Sequence, residues 1–252
     1  MLLQAIVLSP AAALTTVPGC LQDAPKQSGT VERVSDGDTI VLRDRRRIRL
    51  IGVNTLELNA RFAPDKRWAE IATQRLEALI GSKPITLAIG HDEFDRHGRT
   101  LAHLVLNDGS IAAHKLIQQG LGLAVTVGAN TRCFEVFHTA ETQAREARIG
   151  IWQTPGKWQN NKAVLSHRDR GFQLITSVVT SVELKKNKLQ MTLKNGLAVK
   201  FDKHWSGIKN STVESVRDLV GRKVELRGWV GGSAGKPVVT LSHPANLKIL
   251  SH

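Results

Sequence analysis

The fold follows first from residues 31–42, which read Val-Glu-Arg-Val-Ser-Asp-Gly-Asp-Thr-Ile-Val-Leu. Apolar and polar residues alternate from Val31 to Val34, and the pattern resumes at Thr39 after a Ser-Asp-Gly-Asp break. A period of two residues is typical of a strand, and Asp-Gly is favoured in tight hairpin turns. The segment therefore predicts two strands that are joined by a tight turn.

The residues that follow predict three more strands and three helices. Alternating apolar residues indicate strands over 47–53, 85–89 and 100–106. Helical spacing between Pro64 and Gly81 predicts one helix, and two more are predicted over 110–119, with Ser110 as N-cap, and 132–148. Five short strands with interposed and trailing helices favour a small closed barrel. We therefore expect a mainly β chain of the α+β class, beginning with a five-stranded OB-fold barrel and three packed helices.

A polar segment separates this region from a second β-rich region. Residues 153–170 contain Pro155 and Gly156 and are predicted to form a linker. Strands are then predicted over 172–184, 189–193, 197–201, 224–230 and 238–241, with a short helix near 212–220. This order is that of a second small OB-like barrel. The predicted parts are thus an N-terminal segment at 1–27, a first domain at 28–152, a linker at 153–170 and a second domain at 171–250.

The charge of the chain is concentrated in its second half. The 252 residues carry a formal net charge of +13. Residues 28–152 contain 17 Lys and Arg against 15 Asp and Glu, whereas residues 153–252 contain 17 against 6. Such an excess predicts a polyanionic partner, either nucleic acid or an acidic membrane surface, although a generically basic soluble protein is the alternative. No apolar run reaches the ~18 residues of a transmembrane helix.

The N-terminal residues and the two cysteines give information about the cellular location of the protein. Residues 1–16 are apolar and rich in small residues, which resembles part of an export signal, although no basic residue precedes them. Cys20 and Cys133 are the only cysteines. A disulfide between them is the favoured interpretation, with acylation of Cys20 or two free thiols as alternatives. We therefore expect a periplasmic or secreted protein, with a lipid-anchored protein as the alternative.

One group of polar residues in the first domain has the composition of a catalytic site. Asp38, Asn54 and Glu57 provide hard oxygen atoms of the kind that Ca²⁺ binds. Arg49 and Arg99 provide two planar guanidinium groups that suit a phosphate. Hydrolysis of a phosphodiester needs a cation, a carboxylate that activates water, and fixed positive charge for the transition state. Zinc is not indicated, because the nine histidines show no paired Cys/His spacing.

Further short motifs surround this group in a fixed order. They are Asp36-Gly37-Asp38-Thr39, Arg49, Asn54-Thr55 with Glu57, Gly98-Arg99, Gln118-Gln119-Gly120-Leu121, Glu141 with Ala144, and Gly150-Ile151-Trp152. Through these motifs, the chain from about residue 29 to 152 resembles the staphylococcal nuclease (thermonuclease) family. The resemblance implies an OB-fold barrel with three helices and Ca²⁺-dependent cleavage of DNA and RNA.

The resemblance also implies a role for each site residue. Asp38 would bind the metal, Asn54 stands where the family usually has a second metal-binding Asp, and Thr55 would offer its backbone carbonyl. Glu57 would act as the general base or position the attacking water. Arg49 and Arg99 would clamp the scissile phosphate.

The chain departs from the family at several positions. Asn54 lacks one negative charge, and Leu56 replaces a Pro that precedes the catalytic carboxylate. The nucleotide-stacking tyrosines of the family fall at Thr126 and Gly128, and the chain has no Tyr. Since base stacking contributes ~1–3 kcal/mol per base, we expect weaker substrate binding in this pocket.

Basic and aromatic residues of the second barrel provide a second candidate surface. We predict a phosphate-binding face from Lys185, Lys186, Lys188, Lys194, Lys200, Lys203, Lys209, Arg222, Lys223 and Arg227, against the alternative of a solvated basic surface. Trp205 and Trp229 could stack on bases, although tryptophan is more often a core residue.

Two main functional hypotheses follow. The first is a monomeric Ca²⁺-dependent endonuclease, with one weakly bound ion, that acts on DNA and RNA with little sequence specificity. The second is a catalytically weak or inactive nucleic-acid-binding protein with the same fold. A membrane-surface protein that uses the basic domain or an acylated Cys20 is a third alternative.

Overall fold

The computed structural model describes residues 18–60, 62–154, 159–160, 162, 164–165, 170–185, 188–201, 216–233 and 235–250. For residues 160 and 185 it describes the backbone alone. Several predicted features lie outside these residues, namely the export segment, Trp205, three lysines of the predicted basic face (Lys186, Lys203 and Lys209) and residues 212–215 of the predicted helix.

The first half of the chain forms the predicted barrel. Its strands are β1 Lys26–Gly29, β2 Val31–Asp36, β3 Thr39–Leu42, β4 Arg47–Leu50, β6 Ile85–Phe94 and β7 Thr100–Val105, in the sheet order β1-β6-β7-β4-β3-β2. The two edge strands β1 and β2 follow one another in the sequence with only Thr30 between them. The chain itself therefore joins the two edges and closes the sheet into a barrel.

Three helices pack on this barrel, as the sequence predicts. They are α1 Ala63–Ile80, α2 Ala112–Gln118 and α3 Phe134–Glu146. Their buried faces join the strands in one apolar core that includes Leu50, Leu76, Leu104 and Phe137. The predicted cap of α2 is wrong, because Ser110 instead directs its backbone N–H and hydroxyl to Asp108 Oδ1, at 2.9 and 2.6 Å.

The strand predicted over 47–53 is divided in two. β4 ends at Leu50, and a short strand β5 Val53–Asn54 pairs with β8 Leu123–Ala124. The chain turns at Gly52, whose φ is +89°, and a Cβ there would collide with the Phe137 ring. This turn takes residues 53–57 out of the barrel wall and leads them towards the end of β2.

The second half forms another closed barrel. Its strands are β10 Gly171–Lys185, β11 Lys188–Leu193, β12 Ala198–Phe201, β13 Lys223–Ser233 and β14 Lys236–Leu241. They close in the order β10-β11-β12-β14-β13-β10, with β12 and β14 parallel and the other pairs antiparallel. Closure depends on the length of β10, which pairs with β13 over its first half and with β11 over its second. The topology is that of an OB-fold.

Two short strands extend this sheet beyond the predicted elements. Residues Gln159–Asn160 of the predicted linker form β9 beside β10, and Leu247–Ile249 form β15 beside β13. The glycine-rich segment at 231–235 was predicted to separate two strands. Instead β13 continues to Ser233, which pairs with Lys236 at the start of β14.

A buried ion pair fixes the second barrel against the first. Arg227 of β13 donates from Nη2 to Glu141 Oε1 at 2.8 Å and from Nη1 to Glu141 Oε2 at 3.1 Å and to the Ala124 carbonyl at 2.9 Å. Both charged side chains are at least 96% buried. Beside them, Arg145 forms two bonds with Glu225. The prediction that Arg227 belongs to an exposed basic face is therefore wrong.

Apolar and polar contacts complete this junction. Leu123 and Trp152 of the first half share an apolar cluster with Leu174 of β10. Thr126 donates its hydroxyl to Asn246 Oδ1 at 2.9 Å. The two barrels therefore meet through a packed interface.

Cys20 and Cys133 form a disulfide, as favoured from the sequence. It joins a short 3₁₀ helix, Gly19–Leu21, to the residue that precedes α3. The bond spans 113 residues and encloses the strands of the first barrel. No helix among the described residues combines the length and apolar composition needed to cross a bilayer.

We predict that the Cys20→Ser/Cys133→Ser protein loses about 5 kcal/mol of unfolding free energy, because the unfolded chain no longer carries a closed loop of more than a hundred residues. Urea unfolding with and without dithiothreitol measures this loss. The reductant should destabilise the wild type and leave the double variant unchanged. Alkylation of the unreduced wild type would contradict the disulfide.

A second prediction concerns His103, which is buried on β7 beside Phe137. Burial, with a smaller contribution from the charge of Arg132, lowers the pKa of His103 to about 4. At pH values between the ordinary pKa of 6.5 and the folded pKa of about 4, the histidine therefore binds a proton in the unfolded chain but not in the folded protein. We expect stability to fall by about 2 kcal/mol between pH 6.5 and 4.5 through this residue.

Chemical denaturation at a series of pH values tests this expectation. Between pH 6.5 and 4.5, the unfolding free energy of His103→Gln should fall less than that of the wild type. His91→Gln, at a side chain that is 76% exposed, is the matched control and should retain the wild-type slope. Equal slopes for His103→Gln and the wild type would assign the acid sensitivity to other groups.

Candidate active site

The predicted site residues meet at one end of the first barrel. Arg49 on β4 pairs with Thr39, the residue after Asp38, and also with Leu101 on β7, two residues after Arg99. The register of three strands thus places Asp38, Arg49 and Arg99 side by side.

Asp38 is held in the turn between β2 and β3. Its Oδ2 accepts bonds from the Thr55 backbone N–H at 2.8 Å and the Thr55 hydroxyl at 3.1 Å. The carboxylate is only 9% exposed and forms an ion pair with Arg49 at 3.0 Å. A Cβ at Gly37 would collide with Ala72 of α1 and with Thr55, so this close turn requires glycine. The Asp-Gly-Asp motif therefore allows the close packing that keeps the Asp38 carboxylate buried.

Arg49 connects the two side chains that were predicted to bind metal. Its Nη2 lies 3.0 Å from both Asp38 Oδ2 and Asn54 Oδ1. Its Nη1 donates to the carbonyls of Leu50 and Val53, at 2.9 and 2.8 Å. These bonds orient the guanidinium and bring the oxygens of Asp38 and Asn54 to the same point.

Arg99 is oriented by a residue that the sequence analysis did not select. Asp95 Oδ2 accepts a bond from Arg99 Nε at 2.7 Å, and Asp95 Oδ1 accepts from the backbone N–H groups of His97 and Arg99. Burial acts to raise the pKa of Asp95, but these hydrogen bonds hold it below its ordinary value. The turn at 95–98 thus positions Arg99, with Nη1 3.5 Å from the Thr39 hydroxyl. The four-residue separation of Asp95 and Arg99 in the sequence could have indicated this ion pair.

Acidic groups crowd the site. Burial and the charge of Asp38 raise the pKa of Glu57, against the opposing effect of Arg49 and Arg99. Burial and the charge of Asp38 also raise the pKa of Asp36 to about 6. Asp36, quoted in the motif but given no role, accepts a bond from the Asp38 N–H at 3.1 Å. A cation placed among these carboxylates would relieve their mutual repulsion.

The oxygen atoms present match the requirements of a hard cation. Asp38 offers a carboxylate, Asn54 an amide oxygen and Thr55 a backbone carbonyl, all suited to Ca²⁺. Among the described residues, no group of three or more His, Cys, Asp or Glu is arranged to hold a metal. One carboxylate and two neutral oxygens would hold such an ion only weakly.

A cavity adjoins these residues at the junction of the barrels. It has a volume of about 440 Å³ and is lined by Asn54, Glu57 and Phe62 on one side and by Arg170, Phe172 and Trp229 on the other. Trp229 is 45% exposed, so its interpretation as a core residue is wrong. Thr126 and Gly128, the positions of the family's tyrosines, line a neighbouring cavity that Phe172 and Trp229 also border.

Comparisons with known proteins agree with this geometry. Residues 47–154 match a family model described as "Staphylococcal nuclease homologue". The chain is 30% identical over 134 residues to a thermonuclease of Staphylococcus intermedius, and 31% identical over 135 residues to one of Staphylococcus hyicus. Each match covers 52% of this chain and 79% of the relative. An endonuclease of Bacillus subtilis is 29% identical over 132 residues, which cover 50% of this chain and 62% of that protein.

Proposed function

Because the chain belongs to the staphylococcal nuclease family, whose members include the thermonucleases it resembles, it is a nuclease, and we propose that it is a Ca²⁺-dependent endonuclease. Its substrates would be DNA and RNA, cleaved with little sequence specificity. The observation that carries the proposal is the grouping of Arg49, Arg99 and the raised-pKa Glu57 around Asp38.

The two arginines would bind the scissile phosphate. Their guanidinium groups are fixed before substrate arrives, Arg49 by four acceptor atoms and Arg99 by Asp95. Fixed positive charge stabilises the negative charge that develops on phosphate oxygens in the transition state, without reorganisation during the reaction. Arg49 Nη2 would exchange its bonds to Asp38 and Asn54 for bonds to the phosphate.

Glu57 would take a proton from the attacking water as the water oxygen bonds to phosphorus. Its raised pKa makes the carboxylate a stronger base than an exposed glutamate, and a base works best with a pKa close to the working pH. Arg99 could then stabilise the oxygen that leaves.

Asp38, Asn54 and the Thr55 carbonyl would hold the Ca²⁺. The ion would supply a Lewis acid that polarises a phosphate oxygen. Asp36 would add negative charge next to these ligands without contacting the ion.

A second candidate function is nucleic-acid binding without cleavage. Asn54 favours it, because an amide at this position removes one negative charge from the proposed ligand set. The experiments below separate the two functions.

We propose the same domain division and cellular location as inferred from the sequence. Residues 28–152 would form the catalytic domain and residues 171–250 the accessory barrel of a monomer. Lys188, Lys194, Lys200 and Lys223 of that barrel are exposed and would attract the phosphate backbone. The Cys20–Cys133 disulfide supports a periplasmic or secreted location, because disulfides persist in oxidising compartments.

We predict that Glu57→Gln lowers kcat for single-stranded DNA by a factor of about 10²–10⁴, the usual contribution of a general base. Glu93→Gln, which removes the same charge from an exposed position on β6, should retain wild-type activity. Cleavage of a labelled oligonucleotide is measured in Ca²⁺ and in chelator. Wild-type cleavage that persists in chelator, or that Glu57→Gln leaves intact, would contradict the mechanism, and no cleavage at all would favour the binding function.

We also predict that Asn54→Asp raises the affinity for Ca²⁺ roughly tenfold, because one negative charge is added to the ligand set. Titration calorimetry without nucleic acid measures this affinity. Asn59→Asp adds the same charge elsewhere on the neighbouring cavity wall and should have a much smaller effect. Equal gains for both variants would show a general electrostatic effect and not a ligand position.

A further inference from the structure

We propose that the second barrel completes the substrate-binding cleft, with Trp229 stacking on a base of single-stranded nucleic acid while the adjoining phosphate lies at Arg49 and Arg99. The proposal rests on the nuclease function above. It adds that the substrate is single-stranded and that Trp229 favours this form.

The cavity joins the candidate active site to the aromatic residues of the second barrel. Asn54 and Glu57 form part of one wall, and Phe172 and Trp229 form part of the opposite wall. A chain whose phosphate reaches Glu57 therefore has a neighbouring base within this cavity. Both walls are needed to enclose it.

Trp229 is presented as a stacking surface. The indole is 45% exposed, although it lies on a strand whose residues 224–228 are buried. Phe172, its cross-strand partner, contacts it edge-on with ring centres 4.9 Å apart and an interplanar angle of 72°. The edge-on contact holds the indole while much of its surface stays open to the cavity. Exposed aromatic rings beside a polyanion-binding site are the usual platforms for bases.

The position of Trp229 is fixed by the junction between the barrels. Arg227 lies two residues earlier on the same face of β13, where it is bound to Glu141 and to the Ala124 carbonyl. Leu174, which pairs with Arg227 across the strands, is buried in the shared apolar cluster. The indole is thus placed before substrate binds, which reduces the entropy lost on stacking.

Polar groups in the same cavity match a nucleotide. Arg170 lines it and is tied to the Gly232 carbonyl by a 2.6 Å bond, which leaves other guanidinium donors for a phosphate. Gln173 lines the same cavity and adds polar character to the wall of the second barrel.

The size of the cavity favours single strands. A volume of about 440 Å³ lies in the range of pockets that enclose one small ligand, comparable to one nucleotide. A paired base would have to leave its duplex to enter, at a cost of a few kcal/mol. Stacking on Trp229 is therefore available to single-stranded DNA or RNA and not to an intact duplex.

The test compares Trp229→Ala with Ile249→Ala, which removes a half-exposed apolar side chain from β15 of the same barrel. Binding to labelled oligothymidine is measured by fluorescence anisotropy in chelator, where metal-dependent cleavage is suppressed. We expect Trp229→Ala to weaken binding by a factor of about 5–150, the loss of one stacked base. Ile249→Ala should bind as the wild type, and Trp229→Phe should retain most of the affinity.

Two further measurements separate stacking from other causes. Binding to a duplex of matched length should differ little between Trp229→Ala and the wild type. In Ca²⁺, Trp229→Ala should raise KM for the single strand with little change in kcat, because the indole binds substrate without touching the reacting atoms. Equal single-strand affinities for Trp229→Ala and Ile249→Ala, or equal losses for single strand and duplex, would overturn the proposal.

The outcome does not depend on catalysis. If the wild type binds single strands through Trp229 but does not cleave them, the nuclease mechanism fails and the stacking site stands. If the wild type cleaves and Trp229→Ala binds equally well, the stacking site fails and the mechanism stands.

Discussion

The arrangement of the molecule depends on the buried ion pair between Arg227 and Glu141. Burial of two charges is unfavourable unless hydrogen bonds satisfy them, and here Glu141 Oε2 also accepts the Ala124 N–H at 2.6 Å. Ala124 belongs to β8, which pairs with the strand that carries Asn54. One carboxylate thus links the second barrel to a strand that leads into the candidate active site. Truncation at the predicted linker would leave this carboxylate buried without its arginine.

Within the candidate active site, a few charged groups interact closely. Arg49 neutralises Asp38 and orients Asn54, so these residues remain close without an ion. Burial, and after it the charge of Asp38, raises the pKa values of Glu57 and Asp36. In this structure the site therefore has a compact, ion-paired arrangement.

The local features of the chain could be predicted from the sequence, and the contacts between distant segments could not. Alternating residues located the strands, and the Asp-Gly-Asp turn with the two arginines pointed to residues that the structure brings together. The predicted strand is divided at Gly52, where the backbone passes so close to the Phe137 ring, 85 positions later, that a Cβ would collide with it. Arg227 was taken for a surface charge because its partner Glu141 belongs to the other barrel. The sequence left Trp229 as either a stacking or a core residue, because the cavity that it lines lies where the barrels meet.

The disulfide between Cys20 and Cys133 gives the first barrel a covalent connection besides its backbone. Every strand of that barrel lies inside the closed ring, and so does the exposed, arginine-rich turn at 43–46 that trypsin-like enzymes would cut. A single cut in this ring leaves one molecule, since the disulfide still holds both pieces. A cut at this turn would therefore leave all the strands of the barrel in one covalently connected molecule.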